Sequence, residues 1–161
     1  MFIYSVRAGT LKLFGFIALT LVLTLGVLFM GGDRAVSAAN VDGINYSGVK
    51  TNEDRVAFIE SFGIKVQDTP IEEEAFTMPE DFDRVILGYN ELQKKQGLDL
   101  SKYSKKRVTR YTYKVENHTY DGEVHANLFI WRGRVVACDI SSADPAGFVE
   151  PLTLADKTKL K

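Results

Sequence analysis

The spacing of apolar residues changes character several times along the chain. From Leu13 to Gly32 ("LFGFIALTLVLTLGVLFMGG") they run without a charge for 20 residues, about what a helix needs to cross the hydrocarbon core of a bilayer. From Asp33 to Lys50 the residues become small and polar, as in a tether. Helical spacing follows: Val56, Phe58, Ile59 and Phe62 supply most of a stripe, Thr51 or Asn52 stands at the capping position, and Gly63 marks the end. Next, "IKVQ" and "EEEAFTM", parted by Pro70, read as extended segments. A second helix is predicted from Pro79, with Glu80, Asp81 and Asp83 in its first turn and Lys94 and Lys95 before Gly97. Phe82, Val85, Ile86, Tyr89 and Leu92 give it one buried face. Alternation of period two then predicts strands at 107–115, 123–131 and 134–141.

The order α-β-α-β-β-β, with sequential antiparallel strands and the helices on one side, is an α+β arrangement. Glycine-rich phosphate loops and βαβ crossovers are missing from the pattern, which argues against nucleotide-binding folds. Arg7 and Lys12 precede the apolar run and no acid does, which places residues 1–12 in the cytoplasm and sends the remainder outward. The expected organisation is a cytoplasmic N-terminus (1–12), a transmembrane anchor (13–32), a linker (33–50) and an extracytoplasmic α+β domain (51–161). The apolar run exceeds the roughly 7–15 residues of a cleaved signal, so a retained single-pass anchor in the cell membrane is expected. Small residues in "AVSAAN" leave secretion after cleavage near Ala38 as the alternative.

Charge narrows the partners. Of 20 basic residues only Arg7 and Lys12 precede residue 33, leaving 18 against 21 acids in the exported part, a net charge of −3. That balance, with export, argues against nucleic acid. The expected partners are the membrane and a protein of the same membrane or envelope. Residues 94–114 hold eight basic residues and one acid, a candidate contact for the cell envelope.

Candidate chemistry collects in "GEVHANLFIWRGRVVACDISS" (122–142). A two-residue loop at Arg132-Gly133 would require positive φ at Arg132; a three-residue loop from Trp131 to Gly133 avoids it and is the expected register. Val124, Ala126, Leu128 and Ile130 then share a buried face with Val136, Cys138 and Ile140. His125, Asn127 and Phe129 share the outer face with Val135, Ala137 and Asp139, His125 standing directly opposite Asp139 and Ser141 diagonal to it. Cys138 points inward as a small hydrophobe, away from any activating base. Ser141, His125 and Asp139 could compose a hydrolase triad, but no oxyanion site accompanies them and a flat sheet face excludes water poorly. With two histidines and no ligand-spaced motif, neither metal nor cofactor is expected, and no catalytic residue is assigned. The likeness of this face to a contact surface rests on Arg110, Thr112, His125, Asn127, Phe129, Trp131 and Asp139, aromatics flanked by polar groups. Cover from the first helix or from the C-terminal tail is the competing reading.

Several stretches also carry a resemblance. "MFIYSVR", "NEDRVAFIESFGIKV", "MPEDFDRVILGYNELQKKQGLDLSKY", "RVTRYTYKV" and the run from "ANLFIW" to "ACDISS" resemble a family of small bacterial membrane-anchored proteins with domain of unknown function 4830. The resemblance implies an exported, anchored domain and brings no catalytic residues with it. A membrane-tethered binding or sensory-accessory domain is therefore the expected function.

Overall fold

The computed structural model describes residues 43–161. The expected N-terminus (1–12), anchor (13–32) and first part of the linker lie outside the described residues, among which no helix is long and apolar enough to cross a membrane. Helix α1 spans Asn52–Glu60, strand β1 Glu72–Thr77, helix α2 Arg84–Lys94, and strands β2 to β5 span Arg107–Lys114, Val124–Trp131, Arg134–Ser142 and Val149–Pro151. The strands form one sheet in the order β1-β2-β3-β4-β5, every pair antiparallel. The architecture is α+β, with a fifth strand drawn from the expected tail. Thr51 caps α1 in a reciprocal box with Asp54. Helix α2 starts later than the Pro79 signal suggests, because Asp83 takes the N–H groups of Val85 and Ile86. The preceding segment is held instead by Ser104, whose hydroxyl donates to the carbonyls of Pro79 and Glu80.

Both faces of the sheet are covered, and the helices lie on opposite sides instead of sharing one. Ile59 of α1 packs with Tyr113, Ala126, Leu128, Cys138 and Ile140 in one core. Tyr89 of α2 packs with Phe76, Val108, Phe129 and Ala137 in the other. Alternation along each strand separates the two sets. Within the first core Arg55 is nearly buried: its Nε donates to the Tyr113 hydroxyl at 2.7 Å, and its guanidinium lies 3.7 Å from the centre of the Tyr111 ring.

The β3–β4 hairpin departs from the expected register. Trp131 pairs with Arg134 across a two-residue turn, with φ of 49° at Arg132 and 76° at Gly133. One residue later the ladder shifts: Ile130 pairs with Val135 but Phe129 with Ala137, leaving Val136 as the extra residue of a bulge. Beyond it Leu128 stands opposite Cys138 and Asn127 opposite Asp139. His125 therefore faces Ser141, not Asp139, and Val135 and Val136 exchange the faces expected of them. The three-residue loop failed as a prediction because it placed the correcting residue in the turn. The fold accepts a positive φ at Arg132, a cost of about 1–2 kcal/mol, and makes the correction inside β4.

The outer edge of β4 is closed piecewise. Residues 46–49 run along its start, where Val135 N–H donates to Tyr46 O and Val49 N–H to Gly133 O. The end of the expected linker is thus docked, with Tyr46 and Val49 buried. Strand β5 pairs with residues 139–141. Between these two, the Cys138 N–H donates to Gln93 Oε1 at 2.9 Å, and Gln96 Nε2 donates to the Cys138 carbonyl at 2.6 Å. Two side chains at the end of α2 thereby replace one rung of a neighbouring strand, and no backbone group of that residue is left bare. Gln96 Oε1 also accepts from the N–H and hydroxyl of Thr153, tying in the C-terminal segment. Gln96→Leu strips a partner from the Cys138 carbonyl and from Thr153, and is expected to lower stability by about 2–3 kcal/mol. Urea denaturation with an unchanged slope checks this; a loss under half a kilocalorie would show that water replaces the amide.

Candidate functional site

The α2 side of the sheet is apolar beneath the helix and polar beside it. Period-two alternation sets Arg110, Thr112 and Lys114 of β2 in register with Phe129, Asn127 and His125 of β3. Asn127 and His125 in turn face Asp139 and Ser141 of β4. Glu74 and Glu72 of β1 pair with Arg110 and Thr112. A row of hydrogen-bonding side chains therefore crosses four strands.

Its centre is a directed chain. Thr112 Oγ1 donates to Asn127 Oδ1 at 2.8 Å, which fixes the amide orientation. Asn127 Nδ2 then donates to Asp139 Oδ1 at 2.9 Å and to Ser141 Oγ at 3.1 Å. From above, the Tyr89 hydroxyl of α2 donates to Asp139 Oδ2 at 2.7 Å. Asp139 is 4% exposed, and burial holds its carboxyl above the ordinary range. The bonds from Tyr89 and Asn127, the charge of Arg110 and the Ser141 hydroxyl oppose that rise. Burial, reinforced by the neighbouring carboxylate, pushes the Tyr89 phenol well up. At one flank Arg110 donates to Glu72 at 2.8 Å and Glu74 at 3.3 Å, while its buried Nε has no partner. At the other, Glu123 accepts from Lys114 and meets His125 Nε2 at 2.7 Å; the His125 bond, then the Lys114 bond, lowers its carboxyl.

The expected contact residues separate into two groups. Arg110, His125 and Asn127 are part-exposed, with Ser141 beside them. Thr112, Phe129 and Asp139 are buried, Phe129 and Asp139 beneath Tyr89 of α2. Phe129 sits under Phe76 and Tyr89, with ring centres 6.0 and 5.8 Å away. Trp131 is half-covered by Tyr103 at 5.5 Å. The cover comes from α2 and the short 3-10 turn Leu100–Tyr103, not from α1 or the tail. Ser141, His125 and Asp139 share the face but form no relay. His125 turns to Glu123, Asp139 is held by Tyr89 and Asn127, and Ser141 accepts from Asn127. A base that does not reach its nucleophile cannot activate it, so the triad is not assembled. Cys138 lies wholly in the α1-side core, its thiol pushed up by burial. Among the described residues no three His, Cys, Asp or Glu side chains converge as a metal site would require.

Tyr89 is buried as its spacing predicts, whereas composition concealed Asn90, Gln93 and Gln96, which are buried too. Their signal is positional: they continue the three-and-four spacing from Ile86, and polar letters masked it.

A pH test follows from the buried carboxylate. Because the folded chain binds the Asp139 proton more tightly than the unfolded chain, this group's contribution to stability falls as pH rises from the ordinary carboxylate range into the raised one. Tyr89→Phe removes a short hydrogen bond to the carboxylate that holds that range down. The variant should lose about 1.5–3 kcal/mol where Asp139 is ionised and clearly less below a pH of about 4. Urea titrations across pH measure this, and an equal loss at every pH would contradict a charged acceptor.

A family model described as Domain of unknown function (DUF4830) matches residues 58–140, just over half of the 161-residue chain. The match contains α2, β3, the bulged part of β4 and the polar row except Ser141. No curated protein and no solved structure matches the chain. The chain belongs to the DUF4830 family.

Proposed function

We propose that this protein is a membrane-tethered, extracytoplasmic binding or sensory-accessory domain, held by its N-terminal apolar segment in the cell membrane. Its contact surface is the part-exposed portion of the polar row, made by Arg110, His125 and Asn127 with Ser141. The observation that carries this reading is the contrast between the two ends of one sheet face. The end under α2 is sealed by aromatic rings, whereas the other end keeps part-exposed donors and acceptors fixed by buried neighbours. Groups held in one orientation lose little freedom on meeting a partner. Support for tethering comes from the charge-free run 13–32 behind Arg7 and Lys12. A partner in the same membrane would meet this surface at raised effective concentration, so weak intrinsic affinity suffices.

Site-specific photo-crosslinking in intact cells tests the reading. A photoreactive residue at His125 should give a discrete adduct in the membrane fraction, and one at exposed Glu60 on α1 should not. Asn127→Ala in the same chain should reduce the His125 adduct severalfold without releasing the protein from the membrane. Equal labelling from both positions, or none from His125, would contradict the assignment.

A further inference from the structure

One end of the sheet gathers cations from segments distant in sequence. The β3–β4 turn brings Arg132 and Arg134 beside the start of β2, where Arg107 follows Lys102, Lys105 and Lys106; all six are exposed. The acids set against these cations are Glu80, which pairs with Lys105, Asp81 next to it, and Asp99, whose charge meets that of Lys102, so six positive charges outnumber three negative. Among the described residues only Lys105 and Arg132 have positive φ without being glycine, at 61° and 49°. Asn or Asp adopts that conformation far more readily. Both strained positions therefore carry a cation at this one end, a placement that backbone preference does not explain. Between them lies Trp131, the chain's single tryptophan, with the Arg132 guanidinium 5.0 Å from its ring centre.

We infer that this end of the sheet docks on an anionic phospholipid surface, with Trp131 seated at headgroup level. This rests on the tethered reading above. The chain supplies the reach: Ser47 bridges to Arg134 and Val49 bonds to Gly133, beside the same turn. The 13 residues between Gly32 and Tyr46 can span at most about 43–47 Å, so an anchor ending at Gly32 keeps this end near the bilayer. Lysines and arginines near an anionic leaflet each favour contact by about fivefold, and tryptophan is enriched at the membrane–water interface.

The single tryptophan makes the test direct. Full-length protein is placed in phosphatidylcholine vesicles with or without phosphatidylglycerol, in both cases with acyl chains brominated near the headgroup. Trp131 emission should be quenched in the anionic vesicles, less so in the neutral ones, and the quenching should fade at high salt. A variant with Lys106→Gln, Arg107→Gln, Arg132→Asn and Arg134→Gln should dock at least about tenfold less. Arg132→Asn alone separates docking from folding: it should weaken docking about fivefold while raising the melting temperature, since Asn relieves the turn. Unquenched Trp131 in anionic vesicles, quenching indifferent to these substitutions, or capture by isolated wall polymer without lipid quenching would overturn the inference. Alkaline carbonate extraction reads the anchor separately. Release of the chain would defeat the tethered reading, and charge-dependent quenching of Trp131 by added protein would then still support the docking end, its absence overturn it.

Discussion

The extra residue at Val136 decides which side chains meet. The two-residue turn, taken alone, would pair odd positions of β3 with even positions of β4 and carry Asp139 onto the side of Ala126 and Leu128. An unpaired carboxylate in that apolar layer would cost several kcal/mol, far more than the strain at Arg132. The bulge moves the register by one, so that Cys138 and Ile140 enter the α1-side core and Asp139 turns toward Asn127 and Tyr89. The bonds from Asn127 and Tyr89 to Asp139, and from Asn127 to Ser141, depend on that single insertion. The same shift turns the backbone of Cys138 outward, where Gln93 and Gln96 receive it.

Helix α2 serves two purposes through one periodic face. Tyr89 descends onto Phe129 and Asp139 in the middle of the sheet, and the amides one and two turns later close the edge of β4. Burial of Tyr89 raises its phenol, so it remains a donor, and Asp139 remains its acceptor when ionised. The hydroxyl thus does for the sheet face what the glutamines do for the edge: each satisfies a buried polar group that water cannot reach. Rigidity of Asn127 and Ser141 at the open end of the row is a consequence of that buried support.

Much of this was legible in the sequence, and the failures share one cause. Period two located the central strands, the inward direction of Cys138, and the common face of Arg110, Thr112, His125, Asn127 and Asp139. Capping residues located α1, and the α+β class followed from element order. Register was misread because the cost of positive φ at Arg132 was weighed against turns alone and not against a bulge within the strand. Cover of the second face was assigned to α1 or the tail, as a competing reading, because both helices were placed on one side of the sheet; Gln93 and Gln96 look like solvent-facing residues, although their spacing places them with Tyr89. Residues 46–49 were read as tether since a short segment with glycine and serine gives no sign that a strand edge awaits it. In each instance long-range pairing overrode a correct local preference.

The most direct measurement is the cross-strand proton contact pattern of the hairpin by nuclear magnetic resonance. Cys138 sends its N–H and carbonyl away from β3, so Leu128 and Cys138 form a close non-hydrogen-bonded pair. A strong contact between the α-protons of Leu128 and Cys138, together with pairing of Trp131 and Arg134, is the predicted result. A contact from Leu128 to Val136 instead would place His125 opposite Asp139, remove the bulge, and contradict the account at its base.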